Sequence, residues 1–326
     1  MTVNQPTKSG PLLSVGDLAW DVLAKPDNLL LPGGDTTGRV QLAAGGSAAN
    51  LAVWAARVGF PSMFVGKVGS DRFTQYAVSD LESEGVEPRV IFTDQYPTGV
   101  ILVLIDADGQ RSMLTSQGAD FYLQPDELPR DAFTLAGHVH LTAWSLFTDP
   151  PRAAAQRAAR LALEAGASVS FDPGSHQMIR ELGREEFARV TRGLKFSYVL
   201  PNVDEGQAIT GEREPALILE ALRDAYPGAM ILLKLDREGA LIADGDRVLE
   251  VPASPDTAID ATGAGDSFGG AFLGHYLRSR DTLAAARLAV SVAGWVVSHL
   301  GARPLPDDDL RARIARLGPN GQPGKP

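Results

Sequence analysis

The feature that most constrains how this chain can fold is a repeated alternation of short apolar runs with longer amphipathic stretches. Leu12 to Val15, Phe64-Val65-Gly66, His138 to Leu141, Ser168 to Phe171, Tyr198-Val199-Leu200 and Met230 to Leu235 have the length and make-up of buried strands. Helical patterns cover Ala49 to Val58, Asp71 to Glu84, Arg152 to Ala165, Glu185 to Gly193, Glu214 to Tyr226, Ala264 to Arg278 and Thr282 to Leu300. Strands that are apolar throughout need cover on both faces, and crossover helices supply it. The expected fold class is therefore α/β, a three-layer α/β/α sandwich around a mostly parallel sheet. Asp17 to Ala44 and Pro97 to Gln117 break the alternation with extended, hairpin-like signals. Asp106-Ala107-Asp108-Gly109 lies between the apolar run Val100 to Ile105 and Arg111-Ser112-Met113-Leu114, and an Asp-Gly turn in that setting predicts a hairpin.

Composition narrows the class without deciding it. A net charge of −10 argues against nonspecific binding to nucleic acid or to anionic membranes. The chain has no Cys, which excludes disulfides and thiolate metal sites. Met1 to Gly10 is polar, and no apolar run approaches the length of a membrane span, so a cytoplasmic enzyme is expected. One domain over residues 11–317 is expected, followed by a disordered Pro/Gly/Lys-rich tail, 318–326.

Two motifs carry chemistry. Asp260-Ala261-Thr262-Gly263-Ala264-Gly265-Asp266-Ser267-Phe268 reads as a turn opening a helix. Small residues let a ligand approach the backbone, and the free N–H groups of a helix's first turn make an anion site. A carboxylate there repels an anion, but Asp266 makes sense as a base that takes a proton from an attacking hydroxyl. A plain turn with a dipole-favoured Asp is the alternative. The second motif, Gly45-Gly46-Ser47-Ala48-Ala49-Asn50, feeds an Ala-rich helical segment closed by Gly59. Its glycines expose backbone to a polyhydroxylated ligand, and Asn50 offers both donor and acceptor. No Gly-x-Gly-x-x-Gly follows the first strand, which sets a nicotinamide dehydrogenase aside.

Together the two motifs, separated by roughly two hundred residues, resemble the signatures of the ribokinase (PfkB) family of carbohydrate kinases. Gly16-Asp17, Gly66-Lys67-Val68-Gly69-Ser70-Asp71 and Asn202-Val203-Asp204-Glu205 fall where that family places similar segments, and the resemblance spans about residues 11 to 303. It implies a ribokinase-like fold with a small β-lid, built from 17–44 and 97–117, that covers the sugar and supports a homodimer. It implies transfer of the ATP γ-phosphoryl group to a sugar hydroxyl, with Asp266 as base and Gly263, Ala264 and Gly265 as the anion hole. Asp17, Gly45, Gly46 and Asn50 would bind the sugar, with Asp21 a competitor for the role of Asp17 and Arg111 a further candidate. Asn202, Lys234, Gly239 and Thr262 would meet the nucleotide. Glu205 would help hold Mg²⁺ through water, and Asp260 would hold K⁺. For Asn202 and Glu205 a helix cap is the alternative, and for Asp260 a turn cap.

Departures from subfamily patterns leave the substrate open. Asp172-Pro173-Gly174-Ser175-His176 lacks the Arg of fructokinase-like members, and Ser116-Gln117-Gly118 stands where keto-deoxygluconate kinases carry Tyr-Tyr-Arg. Gly118-Ala119-Asp120 is closer to ribokinase-like members. A nucleoside kinase, with Trp20, Phe121 or Trp144 as a shelf for the base, and a catalytically silent sugar- or nucleotide-binding regulator are the other readings.

Overall fold

The computed structural model describes residues 8–106, 111–116 and 118–318. The 107–110 turn, the side chain of Arg111 and the tail beyond 318 lie outside the described residues.

Alternate residues of a strand point to opposite faces, and here both faces are buried, one of them with a hydrogen-bonded row of His138, His140, Ser168 and Ser170 at its centre. Leu13, Val139, Val169, Val199 and Ile231 pack into one layer of core; Leu12, Tyr198, Met230 and Leu232 pack into the other. The sheet that results runs, in space, Arg247–Val251, Ala240–Asp244, Met230–Lys234, Tyr198–Val199, Ser168–Asp172, His138–Thr142, Leu12–Val15, Ser62–Val65, Val86–Pro88. Every neighbouring pair from Met230–Lys234 to Val86–Pro88 is parallel. Helices Ser47–Arg57, Ala264–Ser279 and Thr282–Val297 contribute to the core on one face. Pro151–Glu164, Val203–Thr210 and Pro215–Ala225 contribute on the other.

The predicted helices are present with shifted ends. Gly46 and Gly183 cap at positive φ, so the first helix starts two residues before Ala49. Four helices lie outside the expected set, one of them, Val203–Thr210, foreseen only as the capping alternative for Asn202 and Glu205. Arg130–Leu135 is short, and His176–Leu182 and Asp308–Leu317 begin where Ser175 and Asp307 cap a polar stretch. The antiparallel pair Ala240–Asp244 and Arg247–Val251 was also missed, because its outer strand is largely exposed and its apolar pattern is weak.

Residues 19–26, 38–45, 99–105 and 111–116 form a second sheet, ordered Gly38–Gly45, Ala19–Pro26, Gly99–Ile105, Arg111–Ser116. The last two strands are the predicted hairpin and pair antiparallel. This sheet is separate from the main one rather than an extension of its edge. Among the described residues no helix is long and apolar enough to cross a membrane.

Candidate active site

Parallel strands deliver their next residues to one edge of the sheet, and the crevice at that edge is where ligands bind in such folds. Asp17 follows the strand Leu12–Val15, Asp172 ends Ser168–Asp172, Asn202 follows Tyr198–Val199, and Lys234 ends Met230–Lys234. Two helix N-termini meet the same edge. The Ser47–Arg57 helix starts at Gly46, whose φ of 89° and close approach to the Asp17 carbonyl leave no room for a Cβ. The Asp17 carboxylate accepts the backbone N–H groups of Ser47 at 2.6 Å and Ala48 at 3.1 Å, so it caps that helix. Gly45 lies against the Asp21 carboxylate, where a Cβ would come within 2.5 Å of Oδ1.

The Ala264–Ser279 helix starts at Gly263, in the left-handed region and packed against Ala302. No side chain caps this N-terminus; the Ala264 N–H donates to the Ala261 carbonyl at 3.3 Å, which leaves the N–H groups of Gly265 and Asp266 for the crevice. Asp266 sits in that turn. Its Oδ1 accepts from the Ser47 hydroxyl at 2.5 Å and its Oδ2 from Asn50 Nδ2 at 2.8 Å, which ties the two motifs together. The helices can approach this closely because Gly269, Gly270 and Gly274 face Leu51, Trp54, Ala55 and Val58.

Burial pushes the Asp266 carboxyl up to about 6, with the charges of Asp172 and Asp17 adding to it and the Ser47 and Asn50 hydrogen bonds opposing it. Burial likewise pushes Asp21 up to about 7, against the pull of Arg303, and Asp120 up to about 7, with Asp17 adding. The Lys234 ammonium is 2.8 Å from Asp172 Oδ2 and lies against Gly265, where a Cβ would meet it at 3.1 Å. Its burial works against its charge, but Asp172 and Glu205 hold its pKa raised. A lysine and an uncapped helix N-terminus therefore flank one point, and both favour an anion there.

The other candidates divide. Asn202 and Glu205 form a reciprocal capping box, 2.8 Å each way, so the capping alternative describes their contacts within the chain. Glu205 is buried, and desolvation followed by the Asp172 charge raises its pKa. Asp260 Oδ1 accepts from the Thr262 N–H and hydroxyl, and Oδ2 accepts the Gly301 N–H at 2.8 Å, which is a turn cap tied to a second loop. Gly239 is not among the groups around Asp266. It turns the chain at φ 101° against Val251 to Ala253, where a Cβ would lie 2.0 Å from the Val251 carbonyl oxygen. Arg111 opens the last strand of the second sheet. Ser47, Asp172 and Arg303 were not singled out from the sequence. Ser47 stood inside a quoted motif, whereas the position of Arg303 follows only from tertiary packing.

A model of the pfkB family of carbohydrate kinases matches residues 11–308. The chain belongs to that family. It is 30% identical to an ATP-dependent ribose-1-phosphate kinase of Halopiger xanaduensis, over 92% of this chain and 96% of that one. It is also 30% identical to a nucleoside kinase of Methanothermobacter thermautotrophicus, over 91% and 92%. An adenosine kinase structure from Sinorhizobium meliloti superposes with a TM-score of 0.83 at 26% identity, covering 94% of this chain and all of that one. This PfkB chain is therefore a sugar or nucleoside kinase, a phosphotransferase acting on an alcohol group.

Proposed function

We propose that this PfkB kinase transfers the γ-phosphoryl group of ATP to a hydroxyl of a small carbohydrate, with Asp266 as the general base. The observation that carries this reading is the position of the Asp266 carboxylate. It stands in the first turn of an uncapped helix and is hydrogen-bonded to Asn50 of the other motif. A base must reach the acceptor hydroxyl on one side and face the phosphoryl group on the other. The acceptor would lie against Gly45, Gly46, Asn50 and Asp17, whose carboxylate oxygens each keep a lone pair after capping the helix. As the hydroxyl attacks, Asp266 takes its proton. The N–H groups of Gly263, Ala264 and Gly265, with Lys234, would hold the charge on the phosphoryl oxygens.

Among the described residues no group of three or more His, Asp or Glu is arranged to hold a metal ion. Mg²⁺ keeps most of its waters and binds through one or two carboxylates and the nucleotide phosphates. Glu205 would help hold it through water, and when bound it would neutralise charge on those phosphates. Asn202 keeps its Nδ2 donors for a phosphate oxygen. Asp260 would be the carboxylate for K⁺, with Oδ1 also accepting from Thr262 and Oδ2 from the Gly301 N–H.

The second sheet would close over the acceptor as a lid and exclude water that would otherwise hydrolyse ATP. Its exposed Val40 and Leu42 are where a second copy would pack to form a dimer. The test of this function is Mg²⁺-dependent ADP release from ATP against ribose, ribose 1-phosphate, fructose, 2-keto-3-deoxygluconate and a set of nucleosides. One acceptor that raises ADP release well above the acceptor-free rate supports the reading. ATP binding without acceptor-stimulated turnover would favour a silent regulator.

A further inference from the structure

Arg303 lies behind the proposed acceptor site, 4% exposed, on the loop after the Thr282–Val297 helix. Its guanidinium makes three kinds of contact. Nε donates to Asn50 Oδ1 at 2.6 Å, one terminal nitrogen donates to the Gly45 carbonyl at 3.0 Å, and the other pairs with Asp80 Oδ2 at 2.8 Å. A guanidinium can only donate. The Asn50 amide must therefore turn its oxygen toward Arg303, and its NH₂ group is left facing Asp266, where Nδ2 lies 2.8 Å from Oδ2. A flipped amide would set its oxygen against the Asp266 carboxylate and its NH₂ against the guanidinium, unfavourable on both sides.

The loop that carries Arg303 is held to both motifs. The Trp54 indole N–H donates to the Ala302 carbonyl at 3.0 Å, the Gly301 N–H donates to Asp260, and Gly263 packs on Ala302. An acceptor hydroxyl arriving between Asp266 and Asn50 competes for the same NH₂ group. An amide free to rotate could turn to satisfy the hydroxyl and abandon the carboxylate.

We propose that Arg303 is a positioning residue for phosphoryl transfer: it fixes the orientation of the Asn50 amide and the Gly45 carbonyl, and so holds the acceptor in line with Asp266. This rests on the function proposed above. Asp266 is also faced by Asp17, Asp21, Asp172 and Lys234, which the substitution of Arg303 leaves in place.

The experiment compares wild type with Arg303→Met, using the best acceptor from the panel, and reads four quantities: kcat/KM for the acceptor, its pH profile, ATP affinity and thermal stability. Loss of the charge-assisted bond predicts a fall in acceptor kcat/KM of roughly ten- to a hundredfold. The acidic limb of the profile moves to higher pH, because Asp266 loses a donor to its charged form, and ATP affinity stays within about twofold. An unchanged acceptor kcat/KM would overturn the proposal. So would a loss matched by an equal loss of ATP affinity with the limb unmoved, which is the pattern of a merely structural residue. If Arg303→Met does not fold, Asp80→Asn loosens the same guanidinium from a side chain 33% exposed. Acceptor KM then rises severalfold with ATP affinity unchanged, and an unchanged KM refutes the positioning role. A wild type that turns over no acceptor defeats the proposed function itself, whereas an active wild type with an indifferent Arg303→Met defeats only the role of Arg303.

Discussion

At the scale of single residues the site is a set of carboxylates held at raised pKa by burial, and that gives it a definite pH behaviour. Asp266 must be ionised to act as a base. With its carboxyl pushed up to about 6, kcat/KM should fall as pH drops through about 6, by tenfold per pH unit on the acidic limb. A pH–rate profile flat down to pH 5 would contradict this. Asp21 is a different case: it is buried, its Oδ1 has no hydrogen-bond partner, and burial lifts its carboxyl to about 7. A folded-state pKa above the unfolded value means that the folded state binds the extra proton, so stability is lost as pH rises from the ordinary carboxylate range to about 7 and levels off above it. Asp21→Asn should therefore raise Tm at pH 8 by a few degrees and by clearly less at pH 5; scanning calorimetry at both values checks it. Asp266, Asn50 and the small residues beside them were legible in the sequence because their chemistry sits in contiguous motifs. Arg303 and Asp172 were not, since each acquires its partner across a long stretch of chain: Asn50 for the one, Lys234 for the other.

At the scale of elements, the decisive object is the crossing of the Ser47–Arg57 and Ala264–Ser279 helices, which brings Asp266 to Asn50. Gly270 is where the backbones come closest, and a Cβ there would lie 2.5 Å from the Leu51 carbonyl oxygen. Gly270→Val should destabilise the protein by about 1–3 kcal/mol through overpacking and lower turnover more than ATP binding, readable by denaturant titration beside steady-state kinetics. Unchanged stability and turnover would mean the crossing tolerates separation. The run Gly269-Gly270 was visible in the sequence as a continuation of the phosphate motif; the structure assigns it to helix packing. The alternation of strand and helix placed the central parallel strands well, because their apolar runs are continuous. It failed at the antiparallel edge, Ala240–Asp244 and Arg247–Val251, where exposure dilutes the pattern. Capping fixes helix starts: Asp71, Ser175, Asn202, Asp281 and Asp307 each accept a backbone N–H and set the first turn.

At the scale of the whole molecule, the second sheet, if it is the proposed lid, would link substrate access to assembly. Val40 is 71% exposed and Leu42 55%, two residues apart on one strand and so on one face. If that face joins two copies, sedimentation should give a dimer that Leu42→Asp converts to monomer; a wild-type monomer at high concentration would remove the assembly from the account. The sheet's hairpin was readable from its alternating residues, but nothing in the local sequence said that 19–26 would pair in parallel with 99–105, a contact made only in the folded chain. The substrate was not legible either, because the quoted motifs hold the groups around Asp266 and the subfamily patterns that would select an acceptor are absent from the sequence. The central claim is the role of Asp266, and the most direct test compares Asp266→Asn with wild type for acceptor-dependent ADP formation alongside ATP binding. Turnover should fall by roughly 10² to 10⁴ with ATP affinity nearly unchanged. Wild-type turnover in that variant would show that the proton leaves the acceptor by another route.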